Sequence, residues 1–301
     1  MAQIAVAGLY TLETNLRIEG FPLPYYPVTY PFHGITQAHA GVGLNVAVAL
    51  AGLGHSVRFA TLIGQDEPGE HLLAALPRFG LDSGFVARTA SATSQSVILV
   101  APDGNRQIHC DLKDLQESTY PQLQIEPLLS GASIAVVCNI NFARPLLAAA
   151  QARGIPIATD VHALGDFDDA YNRDFMAASE VLFLSHERLP CAPQQALEAL
   201  RARFDPRIIV IGLGADGALL SERGKPAQHV GTVAPRGVAN TIGAGDALFS
   251  AFVDQLCAGL PPAAALQRAC LFAGWKVGES GATLGLLTAT QFAQECSRHQ
   301  L

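Results

Sequence analysis

Charge is scarce in this chain, and what there is leans acidic. Only 15% of the residues are charged and the formal net charge is −7. Without a basic footprint that tracks a phosphate backbone, nucleic acid is not an expected partner. No long run of like charge occurs, and 50% of the residues are hydrophobic, the composition of a compact globular chain and not of a disordered one. The cysteines Cys110, Cys138, Cys191, Cys257, Cys270 and Cys296 form no C-x-x-C pair and no His/Cys cluster, so zinc and dithiol motifs are absent. Most of them sit in apolar runs such as Val136-Val137-Cys138, where a reduced thiol acts as a small hydrophobe in a reducing compartment. No apolar stretch is long enough to span a bilayer. The opening Met1-Ala-Gln-Ile-Ala-Val-Ala-Gly8 lacks the basic start of a secretory leader and reads as a strand. A cytoplasmic protein without a membrane partner is expected. There is no Walker A sequence, which argues against a P-loop ATPase, and no internal repeat. Phosphates, if bound, must be held locally by backbone N–H groups and helix ends against an acidic field.

With 301 residues the chain suffices for one large domain, or one with a small appendage. Short apolar runs at 4–7, 57–63, 134–138, 155–159, 181–184 and 208–211 alternate with helical spacing at 44–53, 70–76, 144–153, 194–203 and 246–257. Strands that are apolar throughout are covered on both faces, so the pattern predicts an α/β fold. The expected architecture is a three-layer αβα sandwich around a mostly parallel sheet, closed by right-handed crossovers. Two stretches break the rhythm. Leu16–Phe32 is crowded with proline and tyrosine, and Ser94–Cys110 is a pair of strand-like runs around Pro102-Asp103-Gly104-Asn105, a β-hairpin pattern. They are either surface loops or a small β-structure over the edge of the main sheet.

Three glycine clusters carry chemical meaning. Asn240-Thr-Ile-Gly-Ala-Gly-Asp246 opens a helix in which Leu248, Ala251, Phe252 and Leu256 recur at helical spacing. Unpaired amides at such a start, around Gly243, Ala244 and Gly245, form a phosphate-sized cradle. Asp246 in that first turn suits either a dipole-stabilised carboxylate or a base on a hydroxyl beside an anion hole. Gly212-Leu-Gly-Ala-Asp-Gly217 matches G-x-G-x-x-G formally, yet Ala218–Ser221 reads as another strand, so a dinucleotide fold is disfavoured and a strand-turn-strand is expected. Ala40-Gly-Val-Gly-Leu-Asn45 opens an apolar helix, where Asn45 suits a cap or a contact to a substrate hydroxyl. Asp66 and Pro68 read as the cap and first turn of the next helix.

In content, order and separation these clusters resemble the PfkB, or ribokinase-like, carbohydrate kinase family over nearly the whole chain. Ala40–Asn45 is similar to the family's N-terminal signature and Asn240–Asp246 to its C-terminal D-T-x-G-A-G-D signature. The resemblance implies ATP with Mg2+, phosphorylation of a ribose- or fructose-like sugar, Asp246 as base and Gly243-Ala244-Gly245 as anion hole. It places Glu13, Gly41, Gly43, Asn45, Arg106 and Asn141 on the substrate, and Ser185, Gly212, Gly214, Gly217 and Thr241 along the nucleotide. It further implies one kinase domain over 1–301, with segments of about 11–37 and 92–113 forming a β-lid that excludes water and joins a homodimer. Two departures stand out. Asn240 replaces the aspartate that helps ribokinase hold a monovalent cation, which argues against potassium activation. The family's N-x-x-E becomes Ser185-His-Glu187-Arg, leaving Glu187 as the indirect magnesium ligand. A nucleoside kinase is the alternative, with Tyr10, Tyr25, Tyr26, Tyr30 and Phe32 available to stack on a base. A sensor that binds without turnover is the alternative of another class.

Overall fold

The computed structural model describes residues 1–279 and 281–301. Its strands are β1 (Gln3–Ala7), β2 (Thr11–Arg17), β3 (Ile35–Ala40), β4 (Ser56–Leu62), β5 (Val86–Ala87), β6 (Gln95–Val100), β7 (Arg106–Asp111), β8 (Ile134–Val137), β9 (Ile157–Ala163), β10 (Val181–Ser185), β11 (Ile208–Gly212), β12 (Ala218–Glu222) and β13 (Gln228–Val230). The helices are α1 (Val42–Gly52), α2 (Glu67–Ala75), α3 (Gln122–Leu129), α4 (Arg144–Gln151), α5 (Arg173–Ala178), α6 (Pro193–Arg203), α7 (Ala244–Cys257), α8 (Pro262–Lys276) and α9 (Ala289–Arg298). Nine strands form one sheet in the order β13-β12-β11-β10-β9-β8-β1-β4-β5, parallel except where β12 and β13 turn back at the edge.

Side-chain alternation divides the core in two. Ile4 and Val6 of β1, Val181 and Phe183 of β10, and Ile208 and Val210 of β11 face one layer, which includes α1, α7, α8 and α9. Their neighbours Ala5, Leu182, Leu184, Ile209 and Ile211 face the other, built with α3 to α6. Because the strand period is two, both faces must be apolar for both to be covered, and this is the three-layer sandwich expected from the sequence. Phe183 anchors α7 to the sheet, its ring centroid 5.0 Å from that of Phe249 and 5.2 Å from that of Phe252.

The hairpin around Pro102–Asn105 forms as β6 and β7, and β11–β12 is the expected strand-turn-strand. Elsewhere the borders move. β9 continues past Thr159 to Ala163, because Asp160 takes the backbone N–H of His162 and a polar pair ends the strand instead of a turn. Leu16–Phe32 is mostly irregular, and the strands that pair are its flanks, β2 and β3; the rigid φ and missing donors of its prolines explain why. β3, β2, β6 and β7 make a separate four-stranded sheet in that order. The helices α3, α5, α8 and α9 were not anticipated. Among the described residues no helix is long and apolar enough to cross a membrane.

Phe252 is completely buried beneath the start of the site described next. Phe252→Ala is expected to cost about 3–5 kcal/mol of unfolding free energy, read as a fall in the denaturation midpoint.

Candidate active site

Everything of chemical interest lies where parallel strands end and two helices begin, the usual ligand crevice of an open α/β sheet. α7 is entered through a tight turn. Asn240 Oδ1 accepts the Ile242 N–H at 2.7 Å, the Ala244 N–H returns to Thr241 O at 3.2 Å, and Gly243 caps the helix at φ 77°, which a side chain would resist. The first helical hydrogen bond comes from Ala247 to Gly243 O, at 2.9 Å. The amides of Gly245 and Asp246 therefore have no helical partner, as first-turn amides do not. Gly245 is exposed, and a methyl group on it would meet nothing within 4 Å. The helix end is open to an anion.

Asp246 is tied to the other helix. Asn45 Nδ2 donates to Asp246 Oδ2 at 2.7 Å, across 201 residues of chain. Asn45 is not the cap of α1; Gly41 is, and the Asn45 amide donates to Gly41 O at 2.9 Å. Gly41, at φ 101°, and Gly43 hold α1 against the β1–β2 connection, since Cβ atoms there would stand 2.5 Å from Leu9 O and 2.3 Å from the Gly8 carbonyl carbon. Gly43 is itself buried and Gly41 partly so, and close packing requires glycine at both. Asn45 is 6% exposed, and its Oδ1 is buried without a hydrogen-bond donor among the described residues. Leaving such an atom unpaired costs about 1–3 kcal/mol unless a ligand supplies the donor.

Burial holds the Asp246 carboxyl above the ordinary aspartate range, opposed by the field of His162 and the Asn45 hydrogen bond; Asp160 raises it further and Lys276 lowers it. Asp160 and His162, at the end of β9, did not figure among the expected site residues. Asp160 Oδ1 takes the His162 amide at 2.8 Å while His162 adopts φ 57°. The signal was present in the sequence as a polar pair terminating an apolar strand. Cys138, just past β8, belongs to the same buried group, and burial raises its thiol pKa.

The small sheet turns one face toward this point. Glu13, Ser96 and Cys110 are in register across β2, β6 and β7, as are Arg17, Val100 and Arg106. Arg106 Nη1 donates to Thr241 Oγ1 at 2.7 Å, so that face looks at the α7 turn. Glu13 is buried, accepts from Asn15 Nδ2 at 2.9 Å, and has its pKa raised by burial against the lowering effect of that bond. Thr11 Oγ1 is a further buried atom without a partner among the described residues.

Other expected residues lie apart. Asn141 Nδ2 donates to Gln116 O at 2.7 Å and its Oδ1 accepts from Arg144 Nε at 2.8 Å, which fixes the amide in place. Ser185 ends β10 beside Gly212 and takes the amide of exposed Glu187 at 3.2 Å. Gly214 lies in the turn between β11 and β12, and Gly217 packs under the Val230 carbonyl. Concavities of about 500 and 460 Å³ occur elsewhere, beside α6 and on the small sheet, and Asp246 lines neither. No group of three or more His, Cys, Asp or Glu side chains able to hold a metal occurs among the described residues.

Residues 1–289 match the family model described as pfkB family carbohydrate kinase. The chain is 28% identical over 263 residues to the acarbose 7(IV)-phosphotransferase of Actinoplanes sp., covering 86% of each chain. It is 27% identical over 260 residues to the ATP-dependent ribose-1-phosphate kinase of Halopiger xanaduensis, covering 84% of each. Against the bifunctional protein HldE of Shewanella sp., 26% identical over 89% of this chain, it spans only 57% of the relative's length. Among solved structures, a microbiome-derived acarbose kinase superposes with a TM-score of 0.89 at 22% identity, covering 99% of both chains. The Arabidopsis thaliana ribokinase complexed with ribose and ATP gives 0.83 at 18%, covering 98% of both.

A carboxyl whose native pKa is raised adds stability below its unfolded value, near 3.8, and loses that contribution as pH rises through the native value. Asp246→Asn is therefore expected to melt at or above the wild-type temperature at pH 8, with the advantage shrinking toward pH 4; thermal scans across that range read the sign.

Proposed function

The chain belongs to the pfkB family of carbohydrate kinases and is an ATP-dependent kinase with the ribokinase-like fold, and from that premise we propose that it phosphorylates a hydroxyl of a small ribose- or fructose-like sugar held between the starts of α1 and α7. One observation carries this reading: the Asp246 carboxylate stands beside amides without helical partners and is held there by Asn45. In the reaction Asp246 takes the proton of the acceptor hydroxyl as the hydroxyl oxygen bonds to the γ-phosphorus of ATP, and the bond from that phosphorus to the β-phosphate oxygen breaks to release ADP. The α7 amides receive the charge that builds on the transferred group. A carboxyl pKa raised by burial makes Asp246 a stronger base than an exposed aspartate. The unpaired Oδ1 of Asn45 suits a sugar hydroxyl, as do Thr11 Oγ1 and Glu13.

On the nucleotide side we assign Ser185, Gly212, Gly214, Gly217 and Thr241. Magnesium, when bound, neutralises the β- and γ-phosphates. An ion that keeps most of its waters needs few protein ligands, and Glu187, exposed just past the end of β10, fits that indirect role. A monovalent cation fits less well, since Asn240 brings no charge and commits its Oδ1 to Ile242. Closure of the small sheet over the cleft excludes water, with Arg106 meeting Thr241.

The outer face of the same sheet exposes Ile35 (61%) and Val97 (43%), next to a loop exposing Tyr25, Tyr30 and Phe32, and we assign it to a homodimer contact. Six unpaired cysteines support a reducing compartment, the cytoplasm. A nucleoside acceptor is the second reading, favoured by the exposed aromatics of that loop; Tyr10 no longer supports it, being fully buried on His39 and Pro68 O.

ADP release with D-ribose, D-fructose, acarbose and inosine separates these acceptors. Asp246→Asn is expected to lower kcat by about 10²–10⁴-fold, and undiminished turnover refutes the assignment. Val97→Lys is expected to convert a dimer to a monomer in light scattering.

A further inference from the structure

Lys276, in the last turn of α8, has no part in the chemistry above. Its side chain has 0% exposure. The preceding loop fixes where it lies: the amides of Ala239 and Asn240, leading into α7, donate to Val277 O just beyond α8, at 2.7 and 3.1 Å. The C-terminal end of α8 is thereby held against the N-terminal end of α7. Lys276 Nζ donates to Glu279 O at 3.2 Å. Nearby Ala282 backs the cradle, its Cα and O only 3.0 Å from the point where a side chain on Gly243 would begin.

This arrangement has an electrostatic consequence. The last carbonyls of a helix carry about half a negative charge, and the first amides about half a positive one. Laying the negative end of α8 beside the start of α7 weakens the field that an incoming phosphoryl group meets. A cation in that last turn of α8 restores it. Arg236 also stands at this helix end, stacked 4.6 Å over Trp275 and donating to Trp275 O at 2.7 Å, but it is solvent-exposed and screened. Burial pulls the Lys276 pKa below its ordinary value, Arg236 adds to this, and Glu279 and Asp246 oppose it. Burying an ammonium is costly, and an apolar side chain of the same length gives equal packing, so stability alone does not account for a charge here.

We infer that Lys276 is a positioning residue for phosphoryl transfer, a covalently tethered cation that keeps the α7 amides electropositive while it holds the Glu279 carbonyl. It supplies from within the chain the positive charge that an exchangeable monovalent ion can supply from solution, at a place where Asn240 offers no carboxylate to hold one. This role rests on the reading of the α7 start as the phosphoryl cradle.

The test uses the full chain, MgATP and whichever acceptor of the four above turns over fastest. Lys276→Met should lower kcat by about tenfold to thirtyfold, with the KM for ATP within about twofold and the melting temperature unchanged or higher. Lys276→Ala should lose a similar factor and regain part of it with ammonium or potassium ions, but not with bulky tetramethylammonium. Wild-type kcat in Lys276→Met, or a loss in Lys276→Ala that no small cation relieves, overturns the inference. Asp246→Asn measured in parallel keeps the two failures apart. Full turnover in that variant overturns the cradle and this role with it, whereas an inactive Asp246→Asn beside an unaffected Lys276→Met removes the role of the lysine alone.

Discussion

The hydrogen bond from Asn45 Nδ2 to Asp246 Oδ2 is the constraint on which the rest of the site depends. It joins the first turns of α1 and α7, so both helix starts open on one point at the ends of the parallel strands. Glycine makes this closeness feasible: Gly43 lets α1 lie on Gly8, and Gly243 lets α7 begin against Ala282. The bond occupies one carboxylate oxygen, while Asn45 Oδ1 stays buried without a donor among the described residues. A core that needed only stability would not keep that atom unpaired.

Charge follows the same logic. Overall acidity gives no long-range attraction for a nucleotide, so phosphates must be met by local dipoles, of the kind that the free amides at the start of α7 offer. Against them stands Asp246, whose pKa is raised chiefly by burial and to a lesser degree by Asp160. The site therefore holds a destabilised carboxylate, and the surrounding apolar layers, with Phe183 packed on Phe249 and Phe252, provide the stability that keeps it in place.

Much of the fold was legible because its signals are local. Strands apolar on both faces, such as Ile208–Gly212, predict a parallel sheet covered twice, and the Pro102–Asn105 turn predicts its own hairpin. The α7 start was legible too, since a glycine-rich turn followed by helical spacing needs no tertiary knowledge. What escaped depends on distant partners. Asn45 reads as a cap until its bond to a residue 201 positions away is seen. Asp160 and His162 look like the end of a strand, and only the placement of β9 beside the α7 start gives them meaning. Asn141 is similar, since nothing near it in sequence announces the contacts of its amide with Gln116 O and Arg144 Nε. Lys276 lies in α8, whose largely apolar sequence Pro262–Lys276 carries no clear one-sided helical pattern to point to it.

The central claim is that the amides at the start of α7 receive the transferred phosphoryl group while Asp246 faces the acceptor alcohol. The most direct measurement is a crystal structure with ADP, aluminium fluoride and the acceptor sugar, in which the planar fluoride mimics the group in flight. The account predicts fluorines about 3 Å from the amide nitrogens of Gly245 and Asp246, with a sugar hydroxyl on the Asp246 carboxylate. A fluoride bound away from α7, with Asp246 touching Asn45 and no hydroxyl, would contradict it.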